Sequence, residues 1–400
     1  MKSTLAGHSN EDIRLSRLAL RLARRGYGKT SPNPMVGAVL VKAGRIIGSG
    51  WHRAAGQPHA EIEAIRSAQR RAQAIKGATL YVTLEPCCTH GRTPPCTEAI
   101  IEAQIKKVVI GAPDPNPLHQ GRGYGILKRA GIEVARGALQ QACEELNPAF
   151  NHWIVHRTPL VTVKAAMTID GKIATSSGES KWITSKASRA YGMKLREGTD
   201  AILIGINTVL ADNPSLTIRN LKPEKKGATS TAGNRKQPRR IVLDALARTP
   251  LNARVVTDMH AARTTIVVSK RAPKSRVSAL AKQVRVLVGP SIKSSTPSSH
   301  PTLDLSSILK MLGAENVTSL LVEGGGEVNA SFLCKNLAQR IAFFYAPKVI
   351  GGRDSIPAVG GSGAASLDQA LRLTSVQWRK LGPDLLLTAR IVKRDGRSRP

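Results

Sequence analysis

The chain has 400 residues, 41% hydrophobic and only 3% aromatic, with a formal net charge of +33. That length exceeds one ordinary domain, so two mostly aliphatic cores are expected. No apolar run approaches the roughly 20 residues of a membrane-spanning helix. Met1 to Asn10 is polar and lacks the apolar core of a signal peptide, so a cytoplasmic chain with no membrane partner is expected.

In chain order, Ile13, Leu15, Leu18 and Leu22 recur with helical spacing from Asn10, and Gly26 stops the pattern. Val36 to Val41 and Arg45 to Gly48 form an expected strand pair turning at Ala43-Gly44. A helix is expected from His59 to about Arg71, a strand from Ala78 to Leu84, a helix from Cys96 to Gln104 and a strand from Lys107 to Gly111. A further helix, strand and helix fall within Gly121 to Leu146. Strands alternating with helices indicate a layered α/β domain. Asn147 to Pro159, with two prolines, is the expected boundary, dividing the chain into 1–155 and 156–400. Beyond it the strand candidates are Leu160 to Ala166, Asp200 to Gly205, Arg240 to Asp244, Thr264 to Val268 and Ser319 to Glu323. Asn220 to Gln237 and Pro290 to Pro301 are polar and are expected to be loops.

The five cysteines are Cys87, Cys88, Cys96, Cys143 and Cys334. An odd count with three in one short segment suits metal ligation better than a disulfide framework. His59-Ala60-Glu61 stands where a helix begins, Pro86-Cys87 ends a strand, and Cys96 opens the next helix after Pro94-Pro95. One imidazole and two thiolates leave a fourth tetrahedral position for water, as a catalytic zinc requires. Glu61, two residues from the ligand histidine, is placed to take the water's proton and pass it to the ring nitrogen and departing ammonia. The zinc deaminase signature pairs His-x-Glu with Pro-Cys-x-x-Cys. Here eight residues, Cys88 to Pro95, separate the cysteines. Cys88 is expected to be a small buried residue, and His90 a loop residue facing substrate or solvent.

The string Thr83-Leu84-Glu85-Pro86-Cys87, then His90-Gly91-Arg92-Thr93-Pro94-Pro95-Cys96, resembles the pyrimidine deaminase of riboflavin biosynthesis, whose cysteine spacing is this wide one. Pro32-Asn33-Pro34-Met35-Val36-Gly37, Asp114-Pro115-Asn116-Pro117 and Gly121-Arg122-Gly123 are similar to the same family. The resemblance spans roughly residues 10 to 150. It implies a cytidine-deaminase-like three-layer α/β/α domain, zinc held by His59, Cys87 and Cys96, Glu61 as the catalytic proton donor, and Asn33 on the pyrimidine edge.

In the second half, Leu320-Leu321-Val322-Glu323-Gly324-Gly325-Gly326 brings glycines to a helix start, an arrangement that suits phosphate. A Gly-rich turn alone is more often structural, and Trp182 alone is more often packing. Arg196 and Arg219 are candidate phosphate ligands among many basic residues. Together with Val163-Lys164-Ala165-Ala166, Asp170-Gly171-Lys172, Gly178-Glu179-Ser180-Lys181-Trp182-Ile183-Thr184 and Thr208 to Pro214, these pieces resemble the reductase domain of the bifunctional riboflavin-biosynthesis deaminase/reductase. Leu216 to Arg219, Ala346-Pro347-Lys348 and Gly351-Gly352 fit as well. The resemblance implies a dihydrofolate-reductase-like α/β fold that uses NADPH. It places Ala166, Trp182, Thr208, Asp212 and the run Gly325, Gly326, Glu327, Val328, Asn329, Ala330, Ser331 on the cofactor. Ser180, Arg196, Leu216, Arg219 and Glu323, with Lys164 close by, fall on the sugar-phosphate substrate. Glu323 and Lys164 are the expected candidates for protonating the opened ribose. Where the family often has a cofactor-touching serine, this chain has Ala245, a loss on the order of 1 kcal/mol.

The resulting expectation is a bifunctional riboflavin enzyme. Its deaminase acts on 2,5-diamino-6-ribosylamino-4(3H)-pyrimidinone 5′-phosphate. Its reductase converts the ribosyl group of 5-amino-6-(5-phosphoribosylamino)uracil to ribityl. A homo-oligomer acting on phosphorylated pyrimidines is expected. The alternative is a nucleic-acid-editing zinc deaminase with an appended basic domain, suggested by the charge. It is disfavoured because the basic residues are spread along the chain and not interleaved with stacking aromatics, so no nucleic acid partner is expected.

Overall fold

The computed structural model describes residues 9–90, 94–219, 236–292 and 302–392. The chain divides into two compact units, Met1–Arg157 and Thr158–Pro400.

The first unit opens with α1 (Asn10–Ala23), capped by Ser9 and Asp12 in a reciprocal capping box. The hairpin β1 (Gly37–Lys42) and β2 (Arg45–Trp51) turns at Ala43 and Gly44, both with positive φ, as a tight two-residue hairpin requires. There follow α2 (Ala60–Gln69), β3 (Thr79–Val82), α3 (Cys96–Glu102), β4 (Lys107–Ile110), α4 (Arg122–Arg129), β5 (Glu133–Arg136), α5 (Gln140–Glu144) and α6 (Pro148–His156). The five strands form one sheet in the order β2-β1-β3-β4-β5, antiparallel at β2-β1-β3 and parallel from β3 to β5. Alternate strand residues serve opposite faces. Val39, Val41, Tyr81 and Val109 pack under Leu15, Ala19 and Leu22 of α1. Ala38, Leu40, Leu80, Val82, Val108 and Ile110 meet Ala60, Ala64, Ile100 and Leu127 of α2, α3 and α4. The result is the expected three-layer arrangement. α2 lies close on the hairpin because Gly48 has no side chain, since a Cβ there would stand 2.3 Å from the Ala64 carbonyl oxygen.

The two units divide within the stretch Asn147 to Pro159, most of which is helical. Pro148 occupies the first helical turn, where its missing N–H costs nothing, and the helix runs to His156 with Arg157 in the left-handed region after it.

The second unit contains β6 (Leu160–Thr168), β7 (Lys172–Ala174), α7 (Lys186–Glu197), β8 (Ala201–Gly205), α8 (Ile206–Asp212), β9 (Arg239–Leu243) and α9 (Arg254–Thr257). It continues with β10 (Thr264–Val268), α10 (Lys274–Ala281), β11 (Arg285–Val288), β12 (Ser291–Ile292), β13 (Thr302–Leu303) and α11 (Leu305–Ala314). The last elements are β14 (Ser319–Val322), α12 (Gly326–Cys334), β15 (Arg340–Ala346), β16 (Ile356–Pro357), β17 (Leu373–Leu381) and β18 (Asp384–Ile391). Nine strands form one sheet in the order β11-β10-β9-β8-β14-β6-β15-β18-β17. The first seven run parallel, and β18 and β17 are antiparallel additions. Consecutive residues of β8 reach both cores, Ala201 and Leu203 on one side and Ile202 and Ile204 on the other, so this strand is apolar throughout.

From β6 the chain builds outward through β8, β9, β10 and β11. It then returns to insert β14 between β8 and β6 and places β15 on β6's far side. The direction of winding reverses at the β14-β6 pair. In open parallel sheets the crevice beyond the carboxyl ends of such strands is where ligands bind. Of the two expected polar loops, residues 220–235 and 293–301 lie outside the described residues, and Ser291–Ile292 pairs with Thr302–Leu303.

Candidate functional site

His59 caps α2, Cys87 follows β3, and Cys96 is the first residue of α3. Their ligand atoms all lie within 4.8 Å of one another. His59 Nδ1 stands 3.3 Å from Cys96 Sγ and 3.5 Å from Cys87 Sγ. Tetrahedral zinc with bonds of about 2.3 Å to sulfur and 2.0–2.1 Å to nitrogen needs ligand separations of roughly 3.5–3.8 Å. The residues present therefore fit a zinc ion. Cys87 Sγ accepts the Cys96 N–H at 3.3 Å. The Cys96 thiol first, then His59, hold Cys87 down at about 4, while Cys96 is pushed up by sharing that proton. Cys88 is half-buried and outside the trio, so it does not compete for the metal. His90 is exposed and pairs with Glu98 at 3.2 Å.

Glu61, on the first turn of α2, is 3% exposed, and burial pushes its carboxyl up. Its Oε2 has no hydrogen-bond partner among the described residues. A buried acceptor without a partner is costly unless a ligand or water completes it. Here it faces a cavity of about 280 Å³ that His59 and Cys87 also line.

The cavity wall explains Asn33. His52 Nδ1 lies 3.1 Å from the Pro58 carbonyl, which can only accept, so Nδ1 carries the proton. Its Nε2 then accepts from Asn33 Nδ2 at 3.2 Å. Burial lowers the His52 pKa, which keeps the ring neutral for that task. Asn33 is left with its carbonyl and one N–H for a ligand. The strand-turn carrying it is fastened by Asn147, which accepts from Met35 N at 2.7 Å and donates to Met35 O at 2.8 Å.

Phe150, Trp153 and Ile154 of α6 complete the apolar side. On the polar side, His119 Nδ1 lies 2.9 Å from Asp114 Oδ2, and its Nε2 lies 2.7 Å from Thr89 Oγ1. The Glu85 carboxylate is committed to the N–H groups of Asp114, Gly121 and Gly123. Sequence reasoning quoted Glu85, Asp114 and Asn116 as family motif without roles, and missed His52, His119, Asn147 and α6. Asp114-Pro115-Asn116-Pro117 carries a local signal, that of a turn, whereas His52, His119 and Asn147 carry none.

The second cluster sits at the crevice where winding reverses. Glu323 follows β14, and Arg196 binds it through two parallel bonds of 2.8 and 2.9 Å. Lys164 Nζ on β6 is 3.8 Å from Glu323. Burial alone would raise the Glu323 carboxyl, but Arg196 and then Lys164 outweigh it and hold it at about 2. Glu323 is therefore ionised at neutral pH and cannot donate a proton, which leaves Lys164 as the candidate for that role. Arg196 also donates to the Thr217 carbonyl at 2.9 Å, beside buried Leu216. Ser180 Oγ and Lys181 Nζ meet Asp212 at 3.4 and 3.2 Å. Trp182 is exposed, with Arg189 stacked 4.4 Å from its ring.

Ala166 lies on β6 and Thr208 on α8. Gly325 caps α12, with nothing within 4 Å of where a Cβ would stand. Within α12, Glu327 is held by the Gly361 N–H, and buried Asn329 donates to the Ala358 carbonyl at 2.8 Å. Val328 and Ser331 line a cavity, whereas Asn329 and Ala330 are buried. Arg219 is exposed, and no described bond joins it to Arg196 or Glu323.

Residues 9–112 match the zinc-binding region of cytidine and deoxycytidylate deaminases, and residues 159–387 match the RibD C-terminal domain. The riboflavin biosynthesis protein RibD of Actinobacillus pleuropneumoniae is 42% identical over 94% of each chain. That of Aquifex aeolicus is 43% identical over 94% of this chain and 97% of its own. The chain belongs to the RibD family. It is a bifunctional deaminase and reductase of riboflavin biosynthesis, with a zinc-binding deaminase unit first and a reductase unit second. Among solved RibD structures, that of Acinetobacter baumannii matches with a TM-score of 0.82 at 34% identity, covering 96% of this chain and 99% of that one. A Thermotoga maritima diaminohydroxyphosphoribosylaminopyrimidine deaminase/5-amino-6-(5-phosphoribosylamino)uracil reductase matches at 0.77, also at 34% identity, with the same coverage. Among the described residues no helix is long and apolar enough to cross a membrane.

Proposed function

We propose that the first unit replaces the 2-amino group of 2,5-diamino-6-ribosylamino-4(3H)-pyrimidinone 5′-phosphate with oxygen. The second unit then reduces the ribosyl group of 5-amino-6-(5-phosphoribosylamino)uracil to ribityl with NADPH. The observation that carries this is the buried Glu61 carboxyl, whose Oε2 has no hydrogen-bond partner among the described residues, beside the His59, Cys87 and Cys96 trio.

Zinc, when bound by that trio, supplies the Lewis acidity that brings the pKa of water to about 7. Glu61 holds and moves the proton, first from the attacking water and then to the ring nitrogen and the departing ammonia. Its raised pKa suits a group that must be protonated and deprotonated in one cycle. Asn33, fixed by His52, presents its amide to the pyrimidine edge. The α6 side chains exclude water.

In the reductase unit NADPH supplies the hydride. The open cap at Gly325, the start of α12 and the reversal point of the sheet suit a pyrophosphate and its nicotinamide. Arg196 and Glu323 form a fixed, charge-balanced floor. Lys164, 3.8 Å from Glu323, lies beside it to bond the sugar-phosphate and hand a proton to the opened ribose.

No disulfide joins the five cysteines, which supports a cytoplasmic setting. The exposed edge strand β17, with Val376 and Trp378, supports a homo-oligomer.

The test uses zinc-loaded protein and the diaminopyrimidine phosphate. Ammonia release without NADPH, followed by cofactor oxidation only after deamination, is the expected order. NADPH oxidation with no ammonia would overturn it.

A further inference from the structure

A second cavity in the reductase unit, of about 230 Å³, lies away from the Lys164, Arg196 and Glu323 cluster. Its floor is Ile206, just after β8, with Leu243 and Ala245 at the end of β9. One wall is the face of α12 carrying Val328 and Ser331, with Lys335 at its C-terminal cap, a spacing of three and seven residues that puts all three on one side. Two cations, Arg248 and Lys335, and no carboxylate stand among the described residues lining it.

The strand order decides what part of a dinucleotide would reach this cavity. The reducible sugar must meet the nicotinamide over β6 and β14, where Lys164 and Glu323 stand. The start of α12 suits the pyrophosphate. The cavity lies on the opposite side of that helix start, over β8 and β9. A dinucleotide spanning the crevice therefore places its adenine ribose there.

Nicotinamide enzymes tell the two cofactors apart at that ribose. An acid bonding the 2′-hydroxyl favours NADH, and an arginine accommodates the 2′-phosphate of NADPH. The acid at the end of β9, Asp244, is fully buried and already engaged. Its Oδ1 accepts the Arg248 N–H at 2.9 Å, and its Oδ2 accepts the Thr249 N–H and hydroxyl, each at 2.7 Å. The carboxylate is thus turned inward to hold the turn that carries Arg248 on its outer side. Arg248 Nη2 donates to Asn207 Oδ1 at 3.0 Å, which fixes the guanidinium while leaving most of its five N–H groups unspent. Ala245, at the same strand end, offers no hydroxyl.

We infer that Arg248 and Lys335 select NADPH over NADH in this chain by holding the 2′-phosphate of the adenine ribose. The inference rests on the proposed nicotinamide-dependent reduction and names the residues that set its cofactor preference.

The test is direct binding, read from the fluorescence of the bound dihydronicotinamide with the full-length, zinc-loaded protein and no pyrimidine present. The unaltered protein should bind NADPH more tightly than NADH. Arg248→Gln and Lys335→Gln should each weaken NADPH binding by about tenfold or more, the size of a lost charge-assisted bond. Both should leave the NADH constant within about twofold, which also shows that the fold is intact. Ala245→Ser should tighten NADPH alone. If the variants keep their preference, or lose both cofactors equally, the assignment of these two residues fails. If the unaltered protein binds neither cofactor, the reading of the reductase is itself overturned, and this inference with it.

Discussion

Replacing Glu61 by Gln tests the deaminase most sharply. The substitution keeps the shape of the side chain and all three metal ligands and removes only the ability to carry a proton. General acid–base catalysis contributes about 10²–10⁴-fold in typical enzymes. The upper part of that range is expected here, because among the described residues every other titratable side chain on the cavity wall is committed. The nitrogens of His52 serve Pro58 and Asn33, those of His119 serve Asp114 and Thr89, and Glu85 caps the start of α4. With no substitute shuttle, ammonia release by Glu61→Gln should fall about 10³–10⁴-fold, while zinc content stays unchanged. Reduction of independently supplied deaminated substrate should be unaffected. Stability should not fall, since an amide replaces a carboxyl that burial already disfavours in its charged form. A variant releasing ammonia within about tenfold of the unaltered enzyme would refute the assignment of Glu61.

Glu323 is held at about 2 against an ordinary value of 4.5. Its contribution to stability, about 3 kcal/mol, is therefore present above the ordinary value and lost as the pH falls toward 2. Urea midpoints of the unaltered protein should drop across that window, and Glu323→Gln should lose the stability at pH 7 and flatten the acid dependence. Asn147→Ala removes two bonds to Met35, worth about 2 kcal/mol together, and should raise the deaminase KM by about tenfold without changing zinc content. An unchanged KM would mean that the Asn33 turn holds itself. Lys164→Met should leave NADPH binding intact and slow single-turnover reduction by about 10²-fold. Unaltered turnover would remove Lys164 from the proton path.

The candidate metal trio was legible because each residue sits at a boundary with a local signature. His59 and Cys96 stand at helix starts marked by Pro58 and Pro95, and Cys87 follows a short apolar strand. The strands of the second unit were legible where both faces are buried, as in Ala201–Gly205. Two other kinds of element were harder to see. β17 is an exposed edge strand with mixed residues and no clean alternation. The helix α6 lies within the stretch from Asn147 to Pro159 that marks the boundary, where the two prolines hide it although a proline in the first turn is compatible with a helix.

By itself, then, the sequence pointed to the candidate metal ligands and the candidate proton carrier, which are residue types set at element ends within one short stretch, and to the order of the two activities through the motifs of each half. Only the tertiary structure decided what surrounds them. Asn147 reaches Met35 across 112 positions of chain, His52 is a neutral acceptor because Pro58 takes its proton, and Glu323 is a fixed anion because Arg196 grips it. The same holds for Asp244, whose inward turn leaves Arg248 facing the second cavity. The reason is physical. A side chain's charge and hydrogen-bonding role depend on its neighbours and its distance from water, and those are settled when the strands take their order in the sheet.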